Sequence, residues 1–152
     1  MTILGNLFVG IIIAIVTSII TVWLALKRFR SERWWERKAD AYSTIVKSLH
    51  HMKRYCEETI EELESHKDMS EEDSKVLYAK FKEAIEEIAK AKDVGSFIIS
   101  NEAVLQLEVL QKGLYSANMN DGPYDYYEVQ LTSIISCLDL IRKIAKSDLK
   151  VE

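Results

Sequence analysis

The chain has 152 residues, a net charge of −4 and hydrophobic side chains at 48% of positions, which allows one small domain with its own core. The charge is lopsided: residues 27–38 carry six basic side chains against Glu32 and Glu36, a net +4, so residues 39–152 carry −8. An acidic domain of this kind argues against nucleic acid as a partner, because phosphate contacts need a basic footprint.

Residues 3–26 contain no charged side chain. An apolar run of that length spans the roughly 30 Å hydrocarbon core of a bilayer as one helix. A secretory signal would have a basic n-region, a shorter apolar core and small residues at a cleavage site. Here Met1 and Thr2 are uncharged, and Trp23, Leu24 and Leu26 occupy the place where small residues would be needed. Residues 1–26 therefore read as a retained transmembrane anchor. Asn6, Gly10, Ala14 and Ser18 recur at four-residue intervals, with Thr17 and Thr21 beside them. Small and polar residues on one face let membrane helices approach and hydrogen-bond, so this face predicts self-association into a homo-oligomer.

Lys27, Arg28, Arg30, Arg33, Arg37 and Lys38, with Trp34 among them, follow at once. Positive charge on this flank places the N-terminus outside and the C-terminal domain in the cytoplasm. Each basic residue near an anionic leaflet also contributes about 1 kcal/mol of attraction, so residues 27–43 read as a helical neck that meets lipid headgroups.

Residues 44–152 form the predicted cytoplasmic domain. No glycine or proline occurs between Ile11 and Val94. Apolar residues recur at Trp35, Ala39, Tyr42, Val46, Leu49, Cys56, Ile60 and Leu63, with Lys53 the one miss and Met52 beside it. That heptad seam predicts one helix from the anchor to about His66, packed lengthwise on others. Asp68-Met69-Ser70 interrupts it. Ser70 with Asp73 resembles a capping box and opens a second helix burying Leu77, Phe81, Ala84, Ile85 and Ile88, which ends at Gly95 as a left-handed C′ residue.

Phe97, Ile98 and Ile99 should then plug one end of the core. Ser100 caps a third helix carrying Val104, Leu107, Leu110 and Leu114. A loop at residues 118–122 leads to Pro123 at the first position of a fourth helix with Tyr127, Leu131, Ile134, Leu138, Ile141 and Ala145 inward. The fold class is all-α: a single N-terminal transmembrane helix continuing into a cytoplasmic antiparallel four-helix bundle. At 1.5 Å per residue the stretch from Lys27 to His66 extends roughly 60 Å and the second helix roughly 35 Å, so a returning second helix reaches only about Tyr42.

Nine acidic residues lie within 57–73. Most simply they form a solvated face. Glu57, Glu58, Glu61, Glu62, Glu64, Glu71 and Glu72 are the candidates should that tip dock a basic cytoplasmic protein. Catalytic signals are thin. His50, His51 and His66 belong to no zinc motif, and no phosphate-binding glycine loop or nucleophile elbow occurs. Cys56 and Cys137 fall on apolar faces and read as core thiols. No metal, cofactor or enzymatic activity is expected.

The pattern Trp35-x-x-Lys38-x-x-Ala41-Tyr42-x-x-Ile45 resembles the region after the anchor in small bacterial single-pass inner-membrane proteins. The resemblance covers about a third of the chain and brings no catalytic or binding residues with it. It implies a bacterial inner-membrane location and the roles of such proteins, including components of defence loci. The expected function is a self-associating, membrane-anchored scaffold or signal adaptor. The alternative is a signal-gated effector whose anchors assemble to permeabilise the membrane, with Asn6, Thr17, Ser18 and Thr21 as a polar lining.

Overall fold

The computed structural model describes the backbone of residues 2–65, 69–95 and 97–150, and the side chains of these residues apart from 2–13 and 121. Four α-helices follow in order: α1 Thr2–Ser65, α2 Glu71–Gly95, α3 Asn101–Ser116 and α4 Pro123–Leu149, with a 3-10 turn at Met119–Asp121. No strand occurs among the described residues, so the chain is all-α. It divides into two compact units, Met1–Arg37 and Lys38–Glu152.

The first unit is helical throughout its described part, and its side chains from Ala14 to Arg37 are all exposed. Among the described residues no helix is long and apolar enough to cross a membrane. Of the apolar run at 3–26, residues 3–13 lie outside the described side chains, and with them Asn6 and Gly10 of the small-residue face.

In the second unit the local signals for helix ends act as capping chemistry requires. The Asp73 amide donates to Ser70 Oγ at 3.1 Å and Ser70 Oγ donates to Asp73 Oδ2 at 2.6 Å, which occupies an amide the first turn leaves without a partner. Ser100 caps α3 by accepting from the Ala103 amide at 3.4 Å. Pro123 opens α4, where its fixed φ suits a first turn and its missing amide costs nothing. Asp68 and His66, assigned to the end of the first helix and the break after it, lie outside the described residues; α1 ends at Ser65.

Cross-chain contacts give the directions. His50 meets Arg142 and Tyr55 meets Tyr127, so α1 and α4 run antiparallel. Cys137 approaches the Gln106 carbonyl while Gly113 faces Ser133, so α3 and α4 do too. Ala41 and Thr44 line one apolar groove with Ala91 and Val94, as the length of a returning α2 requires. This unit is a helical bundle whose core holds Ile45, Leu49, Met52, Leu107, Leu110, Ile134 and Ile141, each at most 1% exposed. Burying side chains of this size contributes about 1.5–3 kcal/mol each.

The seam of α1 differs from the expected one. Buried positions run Tyr42, Ile45, Leu49, Met52 and Cys56, while Val46 is half-buried, Leu63 is exposed and Trp35 is 49% exposed. The inward stripe therefore passes through Ile45 and Met52, one residue before Val46 and Lys53, because α4 and α2 flank that side of α1. Ile85 and Phe97 are also exposed, Phe97 by 76%, and Ile99 alone of its trio is buried. Gly95 does not take a left-handed conformation. A Cβ there would stand 2.8 Å from Ile99 Cδ1, so the residue is small because the Ile99 side chain folds back onto it.

Gly113 shows the same constraint between helices. A Cβ at this position would fall 2.5 Å from Ser133 Oγ and 2.9 Å from Ser133 Cβ. In an open helix Gly→Ala gains up to about 1 kcal/mol. Here overpacking, at about 1–3 kcal/mol, outweighs that gain. Gly113→Ala should therefore lower the melting temperature, and adding Ser133→Gly should restore part of it; a Gly113→Ala protein more stable than wild type would contradict this packing.

Candidate functional site

The best-built polar cluster joins three parts of the bundle. Tyr42 comes from α1, Ser100 is the cap of α3, Asp148 lies in the last turn of α4, and Lys38 is one turn before Tyr42. The Tyr42 hydroxyl donates to Asp148 Oδ2 and lies 3.3 Å from Ser100 Oγ, and the Ser100 amide donates to the Tyr42 oxygen at 3.4 Å. Lys38 Nζ stands 3.3 Å from Asp148 Oδ2. Burial pushes the Asp148 carboxyl upward, but the hydrogen bonds from Tyr42 and Ser100 and the Lys38 ammonium outweigh it and hold it below its ordinary value. Burial and the Asp148 carboxylate together push Tyr42 up to about 12. The cluster is a clasp between α1, the start of α3 and the end of α4.

The neck residues separate into different environments. Lys38 belongs to the clasp. Arg28 Nε bonds Glu32 Oε1 at 2.8 Å. Lys27 stacks over Trp23 and Arg33 over Phe29, each cation 5.3 Å from the ring centroid. Arg30, Arg33, Trp34 and Arg37 line one groove with Phe29.

Of the small-residue face, Ala14, Ser18 and Thr21 are described, and all three are exposed. Thr21 Oγ1 donates to the Thr17 carbonyl at 2.8 Å, so its proton is already used within its own helix.

Most of the acidic candidates have local work. Glu57 pairs with Lys53, Glu58 with Arg54 and Glu71 with Lys75, each four residues away along the helix. Glu62 accepts from the Met69 amide at 2.9 Å. The Glu64 carboxylate bonds the Tyr124 hydroxyl. Glu61 and Glu72 have no ion pair among the described residues and are exposed.

Other reactive groups are held as structure. Cys56 and Cys137 are free and buried, and burial pushes both thiols up to about 12, which leaves them protonated and poor nucleophiles at neutral pH. Among the described residues no group of three or more histidine, cysteine or acidic side chains could hold a metal ion. His51, Arg54, Asp73 and Lys80 line a polar groove of about 480 Å³ between α1 and α2, at whose edge Arg54 pairs with Glu58. Two structural residues escape a reading by periodicity. Tyr55 is the hub of an aromatic cluster, with ring centroids 4.4 Å from Phe81, 5.9 Å from Tyr127 and 6.0 Å from Tyr78. Asp148 is polar and near the chain end; its signal was only its place one helical turn past the inward Ile144.

No family model, no curated protein and no solved structure matches the chain.

Proposed function

We propose that this chain is a membrane-anchored helical interaction module that self-associates through its N-terminal helix and presents its bundle at the cytoplasmic face of a bacterial inner membrane as a scaffold or signal adaptor. The observation that carries the reading is the uncharged run at residues 3–26 with the basic neck directly after it. Its described part supports the same view. Ile15, Val16, Ile19, Ile20, Val22, Trp23, Leu24 and Leu26 are each about half exposed or more and together cover more than half of the helix's circumference, the rest being the small and polar side of Thr17, Ser18, Thr21 and Ala25. So broad an exposed apolar side needs lipid or protein about it, since water cannot cover it without cost. Protein contacts are the mode of action because the polar clusters of the bundle hold its helices together and leave no reacting group poised.

Two measurements test this. The chain should stay in the membrane pellet under alkaline carbonate extraction; release into the supernatant would remove the anchor. In membranes, Gly10→Leu with Ala14→Leu should reduce crosslinked oligomer several-fold, because bulky side chains keep the helices from close approach. Unchanged crosslinking would mean that self-association does not use this face.

A further inference from the structure

The six basic residues of the neck are not equivalent, and the difference points to a site. Arg28 is occupied by Glu32 and Lys38 by Asp148. Lys27 lies over the Trp23 ring, and Arg30, Arg33 and Arg37 have no ion pair among the described residues. At 3.6 residues per turn these three fall within roughly 60° of one another around the helix. With Phe29 and Trp34, which are 56% and 50% exposed, they line a shallow open groove on one face of the helix, with no carboxylate in its lining. We propose that this face of the neck, Arg30, Arg33 and Arg37 with Trp34, is a docking site for the phosphate of an anionic phospholipid headgroup.

Membrane topology alone needs positive charge on the cytoplasmic flank and is indifferent to the face it occupies. Gathering three guanidinium groups on one acid-free face is what a bound anion requires, and arginine presents paired N–H donors that match phosphate oxygens. The aromatic neighbours favour a lipid over a free anion. Trp34 and Phe29 offer apolar bodies beside the charges, as side chains at the bilayer interface do. Arg30, Arg33 and Arg37 lie roughly 6, 10 and 16 Å beyond Leu26 along the helix, so Arg30 stands at the headgroup layer and the longer reach of Arg33 and Arg37 points back toward it from outside. The proposal rests on the anchor reading above and adds the lipid class and the residues that select it.

The test uses the full chain, purified in a neutral detergent and offered phosphatidylglycerol or phosphatidylcholine, with retained lipid counted by native mass spectrometry. Wild type should retain phosphatidylglycerol about tenfold over phosphatidylcholine. The Arg30→Gln/Arg33→Gln/Arg37→Gln variant should lose that preference, while Arg28→Gln keeps it. Glutamine is a good helix former and the neck is exposed, so an unchanged circular dichroism spectrum will confirm an intact fold. Equal retention of the two lipids by wild type, or an undiminished preference in the triple variant, overturns the proposal. Displacement of the lipid by inorganic phosphate would overturn the lipid assignment in favour of a free anion. Carbonate extraction separates the two levels: a chain that stays in the pellet without lipid preference loses only this site, whereas a released chain loses the anchor itself.

Discussion

Ile45→Ala should destabilise the bundle by about 2–5 kcal/mol, while Val46→Ala next to it should cost about 1 kcal/mol or less. Ile45 is 1% exposed and wedged among neighbours that relax only partly, so truncation leaves a cavity as well as losing apolar burial. Val46 is half-buried, and water can fill the space its methyl groups leave. Against a total stability of about 5–15 kcal/mol for a domain, the first substitution threatens folding and the second does not. Thermal melting of the full chain in mild detergent, followed by circular dichroism, distinguishes them. Equal losses, or a larger loss at Val46, would place the inward stripe of α1 one residue later than the packing here has it.

Asp148→Ala should cost about 1.5–3 kcal/mol, the range for hydrogen bonds to a charged group. The substitution removes the acceptor of the Tyr42 hydroxyl and the partner of Lys38, and it leaves a half-buried ammonium without a counter-charge. The same bonds make the clasp acid-sensitive, with a definite sign. The native carboxyl titrates below its ordinary value, so the stability it contributes is present above the unfolded value, near 3.8, and is lost as pH falls through the lowered native value. Wild type and Asp148→Asn should therefore differ most near neutral pH and converge in strong acid. A gap that stays constant from neutral pH into strong acid would mean that Asp148 is not held as a carboxylate in the folded chain. Tyr42→Phe should reproduce part of the loss, since it removes one of the donors to the carboxylate while Lys38 remains.

If the bundle is an interaction module, these substitutions also separate folding from docking. Ile45 and Asp148 act through the packing of helices on one another, whereas Arg30, Arg33 and Arg37 line an exposed groove. Loss of partner capture with unchanged melting would point to the surface; loss of both would point to the core.

The starts of the bundle helices were legible in the sequence because N-capping is local chemistry. Ser70 reaches Asp73 and Ser100 reaches the Ala103 amide across three residues, and Pro123 needs nothing beyond its own ring to open α4. The inward face of α4 was legible too: Ile134, Leu138 and Ile141 recur at helical spacing and are buried, while their apolar neighbours Ile135 and Leu140 stay exposed. On α1 two adjacent apolar side chains, Ile45 and Val46, both lie on the broad apolar side; one residue turns the helix by only about 100°, so the neighbouring helices chose between them. The lysine at 53 was the trace of that choice. Phe97 shows the converse, an apolar residue left exposed because the turn after Gly95 directs Ile99 inward. The clasp was beyond reach of any local pattern: Tyr42 and Asp148 stand 106 residues apart, and a hydrogen bond between such positions exists only once the helices have packed. Composition and spacing alone determined that this chain is helical, where its bundle helices begin and where its charge gathers. Tertiary packing decided which of those charges were spent inside the structure and which were left on the neck to meet something else.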